Sequence, residues 1–129
     1  MRRRSNLQAN ELMRLLCEKP GVSGHEIAIS NLIVDAFTNL SDEVERDNLG
    51  NVIALKKGEN NLNNIKIMLS AHMDEIGLMV TDIDDRGFIS FTTIGGIDPR
   101  TLLAQEVVVH GKEDLFGVIG AKPPHLQDE

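Results

Sequence analysis

The residues with the clearest capacity for chemistry are His72 and Asp74, which follow an apolar run over residues 65–71. Residues two apart on a strand project to the same face, so these two side chains can pair, whereas Asp74 and Glu75 diverge. A neutral imidazole binds zinc or cobalt through one ring nitrogen while a carboxylate orients the other. The spacing therefore fits a metal ligand with its orienting acid. A purely structural histidine–aspartate pair is the commoner outcome of such spacing and stays open.

The segment that presents this pair is predicted to be a buried strand. Residues 65–71 are almost continuously apolar, as in a strand that is covered on both faces. Open α/β sheets bind their ligands just beyond the carboxyl ends of such strands, and His72 and Asp74 occupy that position.

Two helices are predicted before this strand. Apolar residues recur at helical spacing over residues 6–18 and 24–40. Cys17, in the last turn of the first helix, is expected to be a small core residue. Ser23 and Glu26 have the spacing of a capping box at the start of the second helix, in which the Ser23 hydroxyl accepts a hydrogen bond from a first-turn amide.

The remaining pattern is that of strands and turns. Residues 44–46 and 52–55 flank a turn-rich segment, which predicts a hairpin. Four further short strands are predicted, at residues 76–83, 87–93, 106–110 and 117–120. The predicted fold class is therefore α/β, with an α/β part over residues 1–74 and an all-β part over residues 75–129.

Composition narrows the classes of partner. The 129 residues carry 13 Lys and Arg against 20 Asp and Glu, a net charge of −7, which argues against a general nucleic-acid or anionic-membrane surface. Only four Phe and no Trp or Tyr are present, so stacking platforms for bases or sugars are not favoured. The single cysteine excludes an internal disulfide framework. With no signal-peptide pattern and no long apolar run, a cytoplasmic protein is expected.

Five segments in order resemble one enzyme family. They read GVSGHE at 21–26, DNLGN at 47–51, SAHMDEIG at 70–77, TIGGIDPR at 93–100 and GVIGAKPPH at 117–125. This series resembles the dinuclear metallo-aminopeptidases of the tetrahedral (TET) type, the glutamyl aminopeptidase family, whose members are often labelled endoglucanases. The matching segments span nearly the whole chain and are far more specific than the His-x-Asp spacing alone.

The resemblance implies a fold and a site. Residues 1–74 would form the start of a mixed-sheet metallopeptidase catalytic domain, and residues 75–129 the first part of an inserted, β-barrel-like dimerisation domain. His72 matches the family's first metal-ligand histidine. Asp74 matches the aspartate that orients this ligand and is counted among the catalytic residues. Two divalent ions, zinc or cobalt, would activate water for hydrolysis of N-terminal residues from peptides, and dimers would assemble into dodecamers.

The resemblance also implies that this chain covers about the first third of a member. A bridging aspartate, two further carboxylate ligands, a distal histidine and the general-base glutamate would follow residue 129. A catalytic zinc needs about three protein ligands, and only His72 is carried over. This chain alone is therefore expected to retain no metal and to be inactive.

Two alternatives belong to other classes of function. A truncated, non-catalytic product would act only through protein association, because cut sheets expose apolar faces and strand edges. A glycoside hydrolase would need two carboxylates about 5–9.5 Å apart across the scissile bond. The divergence of Asp74 and Glu75 and the scarcity of aromatic residues make that alternative the weaker one.

Overall fold

A computed structural model describes residues 9–58 and 65–121, and these divide into two compact units between Ile94 and Gly95. This division falls inside the predicted all-β part, and the domain boundary after Asp74 stays a prediction. The described elements are two α-helices and three two-stranded antiparallel hairpins. The α/β class is confirmed, whereas barrel closure and a dimerisation role for the later strands stay predictions.

The first helix, α1, spans Ala9–Glu18 and is stabilised on its solvent side. Arg14 lies between Glu11 and Glu18, at N–O distances of 2.7 and 2.6 Å, in the i,i+3 and i,i+4 pairing that supports helices. None of its residues is buried, and Cys17 is exposed. The expectation of a core cysteine is wrong because no described surface covers the apolar stripe of α1.

The second helix, α2 (Ile27–Thr38), packs against the first hairpin, formed by β1 (Glu43–Arg46) and β2 (Val52–Leu55). This confirms the predicted hairpin and the core of the predicted helix over residues 24–40. Asp47 closes the turn, since its Oδ1 accepts from the amides of Leu49 and Asn51 at 2.9 Å each. The hairpin is joined to α2 by a further hydrogen bond, which Arg46 donates to Oδ1 of Asn31 at 2.8 Å.

The predicted buried strand over residues 65–71 is wrong for this structure. The segment is irregular, and its apolar side chains are exposed, from 74% for Ile65 to 92% for Leu69. A strand needs neighbours to pair its N–H and C=O groups, and no strand in 9–58 or 65–121 pairs with this segment. Its apolar sequence therefore lacks the covering faces that such a composition requires.

The second hairpin lies directly after the His72–Asp74 pair. Strand β3 (Gly77–Ile83) pairs with β4 (Ile89–Ile94), with Gly77 opposite Ile94 and a register shift between Val80 and Asp82. The predicted strands at 76–83 and 87–93 are confirmed to within two residues at each end. The irregular segment that carries His72 and Asp74 therefore ends at Gly77, where β3 begins.

The second unit carries the third hairpin. A short 3₁₀ helix (Pro99–Thr101) is capped by Asp98, and β5 (Glu106–His110) pairs with β6 (Asp114–Val118). The strand predicted at 106–110 is confirmed, whereas the one predicted at 117–120 both begins and ends earlier, at Asp114 and Val118. His110 lies at the end of β5, as predicted.

Candidate metal centre

His72 and Asp74 are in contact, as their spacing predicts. The Nδ1 atom of His72 lies 3.0 Å from Oδ1 of Asp74 and 2.9 Å from its backbone oxygen. The ionised carboxylate oxygen and the backbone carbonyl oxygen can only accept hydrogen bonds, so a neutral imidazole in this position carries its proton on Nδ1. Nε2 then keeps its lone pair, and the side chain is 85% exposed. The geometry gives an oriented imidazole with a nitrogen available for a metal or a proton.

The other carboxylate oxygen of Asp74 is held by Ser23. The Ser23 hydroxyl donates to Oδ2 at 2.5 Å, in a partly buried contact across 51 positions of sequence. This bond, followed by the one from His72, holds the pKa of Asp74 below its usual value. Asp74 is thus an ionised carboxylate that has one partner on each oxygen.

The sequence pattern predicts that Ser23 caps α2, and this prediction is wrong. The residue at the N-cap of α2 is Glu26, and it makes no side-chain capping bond. The Glu26 carboxylate instead accepts from the amide of Gly24 at 2.7 Å. The capping-box pattern describes only neighbours in the chain, and no local signal could have indicated a partner as distant as Asp74.

Backbone contacts clasp the Ser23 loop to the Asp74 segment. The Glu75 amide donates to the carbonyl of Gly21 at 2.8 Å, while the Gly21 amide donates to Oε1 of Glu75 at 3.0 Å. Val22 and Glu75 form an isolated parallel bridge between these bonds. We call residues 21–23 and 74–77 the clasp. It places Ser23 opposite Asp74 and directs the carboxylate of Glu75 to a different partner.

The clasp depends on the lack of a side chain at Gly77. A Cβ there would lie 2.5 Å from Cγ2 of Val22, a stiff β-branched side chain. We expect Gly77→Ala to weaken the clasp by about 1–3 kcal/mol, the usual cost of overpacking. Amide hydrogen exchange of the peptide that contains Glu75 measures this loss as faster exchange.

The matched control for this prediction is Gly58→Ala, because a Cβ at Gly58 meets nothing within 4 Å. Gly58→Ala should leave the exchange rate at Glu75 unchanged. If Gly77→Ala also left it unchanged, the close approach of Val22 would not constrain the clasp.

An open cavity of about 210 Å³ lies beside the histidine–aspartate pair. His72 and Asp74 line one side, α2 contributes Ser30, and the first hairpin contributes Arg46 and Asn51. Ser30 is only 3% exposed, and its hydroxyl has no hydrogen-bond partner among the described residues. The turn of the first hairpin and the start of α2 thus form the wall that faces the imidazole.

The described residues do not by themselves form a complete metal site. Within 9–58 and 65–121, no group of three His, Cys, Asp or Glu side chains could hold a metal ion. The other histidines there do not extend the set: His25 is exposed, and His110 pairs with Asp114 at 2.9 Å in the other unit. His125 lies outside the described residues. His72 therefore fits a metal as one ligand of a larger donor set.

Comparison of this sequence with models of known protein families shows which family it belongs to. Residues 50–129 match the M42 glutamyl aminopeptidase family. The chain belongs to this family. The match includes the His72–Asp74 segment and both of the later hairpins, and it confirms the resemblance that was drawn from the sequence motifs.

Relatives of known name and structure agree with this assignment. The lysyl aminopeptidase of Pyrococcus furiosus is 47% identical over 121 residues, which cover 92% of this chain and 34% of the relative. A TET aminopeptidase from a marine sediment archaeon of the Thaumarchaeota superposes with a TM-score of 0.82 at 35% identity, covering 92% and 33%. The TET1 peptidase of Pyrococcus horikoshii, which can assemble into a tetrahedron or a large octahedral shell, gives 0.72 at 41% identity, covering 91% and 34%.

The chain thus spans about one third of the length of these relatives. The family assignment counts against the glycoside-hydrolase alternative, because the matching family model and the lysyl aminopeptidase are both named as aminopeptidases. The site agrees, since the carboxylates of Asp74 and Glu75 are bonded to different partners. Neither described helix is long and apolar enough to cross a lipid bilayer.

Proposed function

We propose that this chain contributes about one third of a metal-dependent aminopeptidase that removes N-terminal residues from peptides. His72 would bind a divalent metal through Nε2, and Asp74 would hold the imidazole in the required tautomer. The observation that carries this proposal is the bond from Nδ1 of His72 to Asp74, which leaves Nε2 as the free nitrogen.

The imidazole and carboxylate groups of this site are of the types that bind the metals used in peptide hydrolysis. A neutral imidazole and carboxylates accept zinc and cobalt alike, so we propose either ion, with two ions in a complete site. When bound, such ions supply Lewis-acid polarisation of the scissile carbonyl and a low pKa for water. The residues of this chain would bind and orient: Asp74 would hold the His72 ring in place for the metal, and the cavity beside the pair would leave room for a substrate.

We also propose that this chain by itself is inactive. A single imidazole that is 85% exposed competes with water and buffer for the metal, and no other described side chain joins it. The remaining ligands would come from the part of the family's length that this chain does not span. We further propose that the complete protein assembles into larger oligomers and lies in the cytoplasm.

The test uses a chimaera in which this chain replaces the matching third of the Pyrococcus furiosus lysyl aminopeptidase. We expect the chimaera to hydrolyse a lysyl anilide, to lose this activity after chelation, and to recover it with zinc or cobalt. This chain alone should show neither activity nor bound metal after dialysis. A chimaera that folds and binds metal but never hydrolyses the anilide would contradict the proposal.

A second candidate function is non-catalytic association. The exposed apolar segment that includes Ile67, Met68 and Leu69 favours it, since exposed apolar surface of this kind drives self-association. Size-exclusion chromatography of this chain would then show oligomers without metal. A monomer that retains zinc would exclude this candidate.

A further inference from the structure

We propose that Ser23 is a positioning residue of the metal centre, acting through Asp74. By holding Oδ2 of Asp74, the Ser23 hydroxyl directs Oδ1 toward Nδ1 of His72. The inference rests on the proposed function of His72 and Asp74 and adds a third member to their hydrogen-bonded chain.

The need for such a residue follows from the freedom of an aspartate side chain. The terminal torsion of Asp is broad, so a carboxylate with one partner can rotate without much cost. The pair of His72 and Asp74 is exposed, with 85% and 39% of the side chains accessible, and an exposed pair by itself contributes little orientation. The hydroxyl of Ser23 supplies the second fixed point that defines the carboxylate plane.

Ser23 is suited to this task because backbone contacts determine its own position. The clasp bonds between Gly21 and Glu75 hold the residues just before it. After it, the amide of His25 donates to the carbonyl of Val22 at 2.8 Å, and Gly24 has a φ of +88°, a value that favours glycine. These backbone bonds on both sides of Ser23 therefore fix the position from which its hydroxyl bonds to Asp74.

The order of the three side chains excludes a serine-nucleophile function. In a catalytic triad the histidine lies between serine and aspartate and removes the proton of the hydroxyl. Here the carboxylate of Asp74 lies between Ser23 and His72, and the hydroxyl donates to it. Orientation of Asp74 is the role that this geometry supports.

The experiment measures zinc affinity and kinetics of the chimaera with Ser23→Ala and Ser23→Thr. We expect Ser23→Ala to weaken zinc binding and lower kcat by about tenfold each, the low end of the effects of residues that orient metal ligands, with KM unchanged. The absorption spectrum of the cobalt-loaded chimaera should change with Ser23→Ala. Ser23→Thr, which keeps a hydroxyl, should restore most of the affinity, and the exposed control Ser90→Ala should match the parent.

A double-mutant cycle separates positioning from general damage to the fold. If Ser23 acts through Asp74, then Ser23→Ala causes no further loss in the Asp74→Ala background. Additive losses, or an unchanged zinc affinity for Ser23→Ala, would overturn the inference. Failure of the proposed function is a separate outcome: His72→Ala would then retain all of its zinc, whereas failure of this inference alone leaves the His72 effect intact.

Discussion

His72→Ala in the chimaera should lower kcat/KM for a lysyl anilide by more than about 100-fold, because residues that only orient a metal ligand already cost 10–100-fold. The imidazole is the candidate ligand itself, with Nδ1 bonded to Asp74 and Nε2 free. Its removal takes away the donor atom together with the partner of the ionised carboxylate. The measurement is steady-state hydrolysis at saturating zinc or cobalt.

The chain offers a matched control in a second histidine–aspartate pair. His110 lies 2.9 Å from Asp114 on the β5–β6 hairpin, at exposures of 54% and 66%. His110→Ala removes the same kind of contact from the other unit, and it should leave kcat/KM within about twofold of the parent, as expected of a substitution at an exposed site. Equal losses for both variants would mean that the effect of His72→Ala is not specific to the proposed centre.

Replacement of Asp74 should cause the second large loss of activity. The size of the loss should depend on which hydrogen-bonding atoms and charge the new side chain keeps. Asp74→Asn keeps an acceptor oxygen for Nδ1 of His72 but loses the charge, and we expect activity to fall about tenfold. Asp74→Ala loses both oxygens, frees the imidazole and the Ser23 hydroxyl, and should approach a 100-fold loss. Kinetics at several zinc concentrations would show part of each loss as weaker metal binding.

Asp114→Ala is the control for the Asp74 series, since it removes the carboxylate of the other pair. It should have no measurable effect on zinc affinity. If Asp74→Asn and Asp74→Ala were equally active and bound zinc as the parent does, then Asp74 would be a structural acid at a turn and not a part of the metal centre.

Local patterns predict much of this fold correctly. The hairpin of β1 and β2 is formed by neighbouring segments, and the carboxylate of Asp47 closes its turn from within. The period of α2 is equally local, and Ile29 is buried to 7% exposure, as its position in the apolar stripe predicts. The pairing of His72 with Asp74 belongs to the same class, since the two residues are only two apart.

The features that the sequence does not predict correctly depend on contacts between residues far apart in the chain. The segment that contains Ile67 and Leu69 has the composition of a buried strand, but its strand state depends on neighbours that are not among the described residues. Ser23 has the spacing of a capping residue, and its hydroxyl instead bonds to Asp74 because the clasp brings two distant segments together. Composition and period carry no information about such contacts.

The most direct test of the metal centre is the metal content of the chimaera, measured after dialysis by mass spectrometry for the parent and for His72→Ala. We expect about two ions per chain for the parent, as the family resemblance implies, and the loss of about one ion for the variant, because a catalytic zinc depends on about three protein ligands. Equal metal content in a variant that folds as the parent does would contradict the assignment of His72 as a ligand.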